Sequence, residues 1–249
     1  MAPRVVVLSL ASDFGCQVQL SNITEEILDV LGLIDLSYWQ LASSGHMPAE
    51  YDVAIVEGAV TTEEHVALLE SVRATAGVVI AIGACANTGG IPGLANLLDL
   101  DERYAVVYGD GGGPKVAAGK RAPMPVDSVI AVDYHVPGCP IDPPEFLRVL
   151  SRVLLGLKDR VPDLTMCASC KLNETVCFFD RGGMCLGLVT RAGCGARCPS
   201  LNRPCTGCRG VAPDANLEAA RRILVASGRS ATALEDGLRI YNTAKEVRG

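Results

Sequence analysis

Histidine is scarce in this sequence: only His46, His65 and His135, dispersed along the chain. That is too few and too scattered for a nickel or zinc site built on imidazoles. There is no run of lysines or arginines and no basic tail, and 22 basic residues face 28 acidic ones, for a net charge of −6. A nucleic-acid binder, whose affinity comes from neutralising phosphates, is therefore disfavoured. No apolar stretch approaches the roughly 18 to 20 residues of a membrane span. The longest, Val5 to Ala11 and Ala76 to Ala86, are strand-sized and broken by Ser or Gly. No small-residue cleavage site follows the short N-terminal apolar run, so no export signal is read and cytoplasm is the expected compartment. No Gly-x-Gly-x-x-Gly follows the first predicted strand, where Asp13 and Cys16 stand instead. An independent flavin or nucleotide enzyme is correspondingly weak as a reading.

What the chain does have is cysteine, eleven in 249 residues, unevenly spread. Cys16, Cys85 and Cys139 are far apart, whereas eight lie between Cys167 and Cys208. A reducing compartment disfavours a disulfide framework, which leaves metal binding as the leading explanation.

The first 160 residues alternate strand and helix signals. Val5 to Leu10 is a β-branched apolar run, and Leu20, Ile23, Ile27, Leu28 and Leu31 then recur at helical spacing. A strand ends at Tyr38 and Trp39. Another covers Asp52 to Glu57, and Thr61-x-x-Glu64 predicts a capping box opening a helix through Val66, Leu69 and Val72. Gly77 to Gly83 reads as a buried strand. Gly89 to Pro125, with Gly111 to Gly113, reads mostly as irregular connection with a short helix near Leu94 to Leu98. Val129 to Val132 predicts a further strand, and Asp142-Pro143 a helix start with Phe146, Leu150, Val153 and Leu154 on its buried face. Such alternation implies an α/β fold with a parallel sheet covered by helices on both sides. From Cys167 to Gly210 Cys and Gly dominate and apolar periodicity fades, so no ordinary core is expected there. Two terminal helices follow, opened by Asp214 and Ser230. The expected division is residues 1–160 and 161–249.

Cys16, Cys85 and Cys139 each lie just beyond a predicted strand. In an open parallel sheet, loops at strand C-terminal ends converge on a crevice, so these three thiols are expected to meet. Their separation excludes a compact zinc-finger spacing. Gly15, Gly83 and Gly138 beside them let backbone approach an inorganic core closely. The start of the first helix, with free N–H groups, favours an anionic cluster next to Cys16. A 4Fe–4S cube takes four ligands, and Asp13, in Asp-x-x-Cys, puts a carboxylate where a Cys-x-x-Cys pair would put a thiolate. Asp13 is thus the candidate fourth ligand, or the site holds a three-iron cluster with Asp13 nearby; the alternative is a turn aspartate.

The eight later cysteines run Cys167-x-x-Cys170, Cys177, Cys185, Cys194, Cys198 and Cys205-x-x-Cys208. They suffice for two four-ligand sites. Taken in order, Cys167, Cys170, Cys177 and Cys185 form one set and Cys194, Cys198, Cys205 and Cys208 the other. Four-Cys zinc uses the same pairs, so spacing alone does not separate zinc from iron. A third cysteine site at a sheet crevice is natural for a relay of clusters and odd for zinc scaffolding. Lys171, Arg181, Arg191, Arg197, Arg203 and Arg209 against Glu174 and Asp180 give this segment a charge of +4, opposite to the rest of the chain. Thiolate-ligated clusters are anionic, and nearby cations offset that charge.

Gly15-Cys16-Gln17-Val18-Gln19-Leu20, Val56-Glu57-Gly58, Gly83-Ala84-Cys85-Ala86, Pro137-Gly138-Cys139-Pro140, Cys185-Leu186-Gly187, Thr190-Arg191-Ala192-Gly193-Cys194 and Cys205-Thr206-Gly207-Cys208-Arg209-Gly210 together resemble the small subunit of nickel–iron hydrogenases. The resemblance is to the cytoplasmic, sulfhydrogenase or NAD(P)-coupled type and covers nearly the whole chain. It implies a flavodoxin-like domain followed by a cysteine-rich iron–sulfur domain with little regular structure and terminal helices. By the same resemblance the chain is a non-catalytic electron-transfer subunit carrying three clusters. The proximal one is at Asp13, Cys16, Cys85 and Cys139, the distal at Cys167, Cys170, Cys177 and Cys185, and the medial at Cys194, Cys198, Cys205 and Cys208. The implied partners are a large subunit holding the nickel–iron centre and flavin/iron–sulfur subunits of diaphorase type. Asp13 departs from the family pattern, which usually has Cys there. The inner part also resembles the cluster-bearing subunit of respiratory complex I, which lacks the eight-Cys extension. The competing reading is a zinc-stabilised interaction protein with a flavodoxin-like domain.

Overall fold

The computed structural model describes residues 2–23, 32–109, 120–158 and 161–243. Strands β1 (Arg4–Ser9), β2 (Asp35–Trp39), β3 (Val53–Glu57), β5 (Val78–Ile82) and β7 (Tyr134–Val136) form one parallel sheet in the order β2-β1-β3-β5-β7. Helices α1 (Gly15–Ser21), α2 (Glu63–Thr75), α3 (Gly83–Thr88), α4 (Leu100–Tyr108) and α5 (Pro143–Leu154) follow or connect these strands. The central strands carry near-continuous apolar runs because both of their faces are covered. Val6, Leu8, Ala54, Val56, Val79 and Ala81 pack on one side with Leu69 and Val72 of α2. Val5, Val7, Val53, Ile55, Ile80 and Ile82 pack on the other with Leu20 of α1 and Phe146, Val149 and Leu150 of α5.

The chain moves outward from β1 to β2 and then returns past β1 to β3. The crevice of the flavodoxin-like order therefore opens between β1 and β3. Register levels its rim: Ser9 lies opposite Glu57, Glu57 opposite Ile82, and Ile82 opposite Val136.

Several local expectations change. The strand expected at Val129 to Val132 is Tyr134–Val136 instead. Val126–Ser128 forms a 3-10 turn, and Asp133 Oδ2 accepts from Val79 N at 2.8 Å, so the chain joins the sheet only after Asp133. The described parts of the Gly89 to Pro125 stretch, residues 89–109 and 120–125, are more ordered than its Gly/Pro content implies. It holds a 3-10 segment over Ile91–Leu97 and α4, which opens with a capping box of Asp99 and Glu102. A separate antiparallel ribbon pairs β4 (Val60–Thr62) with β6 (Lys120–Met124). The cap of α2 is Thr62, whose hydroxyl accepts from His65 N, rather than Thr61. His65 is half-buried, with Nδ1 accepting from Thr61 N at 3.2 Å. Ile27, Leu28 and Leu31 of the predicted first helix, and Gly111 to Gly113, lie outside the described residues.

Beyond residue 160 the chain contains α6 (Met166–Leu172), 3-10 turns at Phe179–Arg181 and Leu186–Leu188, and the single turn α7 (Arg197–Ser200). Two terminal helices follow, α8 (Leu217–Ala226) and α9 (Ala233–Asn242). The cap of α8 is Asn216, whose side chain accepts from Ala219 N at 2.8 Å, not Asp214. The N-cap of α9 is Thr232, two residues past the expected Ser230. Leu217, Leu224, Leu234 and Leu238 of the two helices pack on Leu186 and Val189. Thr88 Oγ1 of α3 donates to Tyr241 O at 2.7 Å, tying α9 to the sheet portion. Among the described residues no helix is long and apolar enough to cross a membrane.

Candidate metal centres

All eleven cysteines are free thiols. Cys16 is the second residue of α1, Cys85 the third residue of α3, and Cys139 stands three residues past β7, so all three sit above the level rim of the sheet. Ala84 N donates to Gly138 O at 2.6 Å, which locks the Cys85 turn to the Cys139 turn. Glycine is required where these turns meet. Gly83 has φ +83°, and a Cβ on it would lie 2.6 Å from Cys16 Sγ; Gly90 has φ +52°, and its Cβ would lie 2.9 Å from Cys85 Sγ. We expect Gly83→Ala to lower stability by at least about 1–2 kcal/mol from the left-handed backbone alone, with the thiol clash added, measured by thermal melting against Gly77→Ala.

Burial is the main reason these thiols resist ionisation. It pushes Cys16 far up, with the Glu57 charge next. It pushes Cys85 up to about 12, with Cys139 and Asp13 adding. Cys139 is raised by burial and then by Asp13. Glu57, 2% exposed, is itself raised by burial; its Oε1 accepts from Cys16 N at 2.9 Å, and its Oε2 has no hydrogen-bond partner among the described residues. The expectation of a free N–H at Cys16 is thereby corrected, since a carboxylate from the next strand occupies it. Asp13 is exposed, and its Oδ1 accepts from Gly15 N at 2.9 Å, as in a turn aspartate. Its charge nevertheless reaches Cys85 and Cys139. A crevice gathering Asp13, Cys16, Glu57, Cys85 and Cys139 collects acidic groups, four of which burial holds back from ionising, and a bound cationic core would favour their ionised forms.

In the second half, Cys167, Cys170, Cys177 and Cys185 line one cavity of about 120 Å³ together with Phe178 and Phe179. Burial pushes Cys170 up to about 11, with Cys167, Cys185 and Cys177 adding. Burial pushes Cys205 up to about 12 and Cys208 to about 11; Cys194 adds to Cys208, and, after burial, to Cys198. The three groups are adjacent in series. The Cys139 backbone lies close enough to the Cys208 thiol to offset part of the rise that burial causes, and Cys205 N donates to Cys185 Sγ at 3.2 Å. Cys16 and Cys205 are buried, whereas Cys139, Cys177 and Cys198 are exposed. Among the described residues, no three Cys, His, Asp or Glu side chains converge as ligands of a single ion. The four soft thiols around that one cavity match the donor chemistry of an iron–sulfur core.

Residues outside the cysteine sets have structural partners. His135 Nδ1 lies 2.6 Å from Asn87 Oδ1, and Trp39 Nε1 donates to Gln17 Oε1 at 2.8 Å, so both serve packing and hydrogen bonding. Arg209, read as one of six cations over the cysteine segment, is fully buried against Glu145, a partner the sequence did not reveal. The signal available was a Glu inside the apolar face of a predicted helix.

Raised thiol pKa values fix the sign of a pH effect. Thiols that ionise near 9 when unfolded and near 12 in the fold stabilise the fold below pH 9, and that contribution is lost as pH rises toward 12. The metal-free chain is expected to melt at progressively lower temperature across that window. A metal-loaded chain, whose thiols are already ionised, is expected to lose less.

A family model described as the 20 Kd subunit of NADH ubiquinone oxidoreductase matches residues 14–153. The chain is 34% identical over 215 residues to the sulfhydrogenase 2 subunit delta of Pyrococcus furiosus, covering 86% of this chain and 89% of that one. It is 31% identical over 272 aligned positions to a vhu subunit of the F420-non-reducing hydrogenase of Methanocaldococcus jannaschii, covering 97% and 94%. Among solved structures, a chain of an NAD+-reducing NiFe-hydrogenase in the H2-reduced state superposes with a TM-score of 0.55 at 26% identity. It covers 65% of this chain and 96% of that one.

Proposed function

The chain belongs to the NADH ubiquinone oxidoreductase 20 Kd subunit family, and on that premise we propose that it is the electron-transfer small subunit of a nickel–iron hydrogenase. The observation that carries this reading is the adjacency of three thiol groups, the Cys139 turn beside Cys208 and Cys205 beside Cys185. A zinc scaffold has no need of such a series, and the hydrogenase relatives extend over the cysteine-rich segment that the family model leaves uncovered.

In this reading three iron–sulfur clusters supply one-electron steps when bound. Asp13, Cys16, Cys85 and Cys139 hold the proximal one, either as an aspartate-ligated 4Fe–4S or as a 3Fe–4S cluster. Cys194, Cys198, Cys205 and Cys208 hold the medial, and Cys167, Cys170, Cys177 and Cys185 the distal. Residues 1–160 and 161–249 are the two corresponding units. The chain itself breaks no bond: it holds the three donor sets next to one another, each with one exposed cysteine, Cys139, Cys198 and Cys177. Hydrogen is handled by a large subunit with the nickel–iron centre, and electrons are exchanged with flavin/iron–sulfur subunits of diaphorase type in the cytoplasm.

Copurification with a large subunit, nickel analysis and hydrogen-dependent dye reduction test this. A nickel-containing complex that reduces dye under hydrogen, and loses that activity on Cys139→Ala, is expected. A chain that binds no nickel-bearing partner, or a Cys139→Ala complex with full activity, contradicts it. Asp13→Cys is expected to change the midpoint potential of the proximal cluster, since a carboxylate oxygen is a harder donor than sulfur. An unchanged titration removes Asp13 from the ligand set.

A further inference from the structure

One buried ion pair sits where the sheet meets the cysteine-rich segment. Glu145 of α5 and Arg209, the residue after Cys208, have side chains only 1% exposed. Arg209 Nη1 and Nη2 donate to the two carboxylate oxygens at 2.6 and 2.7 Å. Its other donations go to backbone: Nη1 to Pro137 O at 2.6 Å, and Nε to Arg191 O at 3.2 Å and Ala192 O at 3.1 Å. Pro137 is two residues before Cys139, and Ala192 two residues before Cys194. One planar guanidinium therefore fixes the backbone of a first-group cysteine to that of two cysteines in the next group. Gly193, at φ +134°, lies against the pair so closely that a Cβ there would overlap both Arg209 Nη2 and Glu145 Oε1. Arg148, 44% exposed, approaches Glu145 Oε1 at 3.8 Å from the solvent side.

Packing alone does not explain this arrangement. Buried ion pairs are often replaceable by apolar residues of similar volume with no loss of stability. Apolar residues cannot, however, hold a fixed charge beside thiolates or clamp three loops through five oriented hydrogen bonds. We propose that the Arg209–Glu145 pair is a positioning and charge-setting device between the proximal and medial cysteine groups. Arg209 holds the Cys139, Cys194 and Cys208 loops in register and favours reduction at the group it adjoins, and Glu145 moderates that bias. This rests on the electron-transfer reading above.

The sign of each charge makes the proposal testable on the anaerobic complex with its large subunit. The measurements are iron and sulfide content and an EPR-monitored redox titration of the medial cluster. Arg209→Met removes a positive charge and is expected to lower the midpoint potential. Glu145→Gln removes a negative charge and is expected to raise it. The double variant Arg209→Met/Glu145→Met changes no net charge, and its midpoint is expected to fall between those of the two single variants. The single shifts are expected to correspond to roughly a tenfold change in the one-electron reduction equilibrium, about 59 mV. A purely structural pair would move both single variants in the same direction through a common loosening, or move neither, and either result with full iron content overturns the proposal. Should Arg209→Met lose its iron, Glu145→Gln decides: an upward shift supports the proposal, and no shift or a downward one overturns it. Wild-type protein without iron defeats the electron-transfer reading itself, and this inference with it, an outcome visible in the metal analysis alone.

Discussion

Stripping iron and sulfide from the chain is expected to open Met166 to Cys185 and Cys194 to Cys208 to rapid amide hydrogen exchange while the five-stranded sheet stays protected. The sheet is held by two apolar clusters in which Cys16 is the only proposed ligand. The cysteine-rich segment has a small core of Met166, Ala196 and Cys205, packed by Cys170, Cys185 and Cys194, so its core is made largely of proposed ligands. Its regular structure is short turns and one seven-residue helix, too little to persist without tertiary support. In small metallo-domains metal binding free energy is folding free energy. Protection there is accordingly expected to fall by at least about a hundredfold, or ~2.8 kcal/mol at ~1.4 kcal/mol per factor of ten. Residues of α8 and α9 keep their own leucine cluster and are expected to lose less. Uniform exchange before and after stripping would show that the segment folds on side-chain packing alone.

Arg209→Met by itself is expected to be among the most damaging single substitutions outside the ligands. It leaves the Glu145 carboxylate buried without its fork and frees the carbonyls of Pro137, Arg191 and Ala192 from their donor. Breaking one side of a buried pair costs about 3–5 kcal/mol. For a chain of this length that corresponds to a melting temperature lower by roughly 10 °C. The double substitution Arg209→Met/Glu145→Met removes both charges and is expected to recover most of the loss. Calorimetry of the two variants checks this; a double variant no more stable than the single would mean that the carbonyl clamps, rather than the charges, dominate.

The inner strands were legible because burial on both faces writes itself as runs such as Val5-Val6-Val7-Leu8 and Val78-Val79-Ile80-Ala81-Ile82. The convergence of Cys16, Cys85 and Cys139 followed from strand order alone, since each needs only to lie past a parallel strand. The edge was harder to read. β7 is three residues long, and nearby Val129 and Val132 are as apolar as a strand while serving to pack against the core. α4 was hidden in a Gly/Pro-rich stretch because its capping box, Asp99 and Glu102, lies beyond a 3-10 segment that breaks the helical period. Glu57 was visible as a strand-end carboxylate, but its bond to Cys16 N is made across 41 residues. Glu145 and Arg209 are 64 residues apart, and no local pattern links them.

Iron and acid-labile sulfide analysis of the anaerobically purified chain tests the central claim most directly. Three four-iron clusters correspond to about twelve iron atoms with matching sulfide, or about one fewer if the Asp13 site holds three irons. A preparation that carries zinc and no sulfide, or that is colourless and iron-free yet supports its partner's hydrogen-dependent turnover, would contradict it.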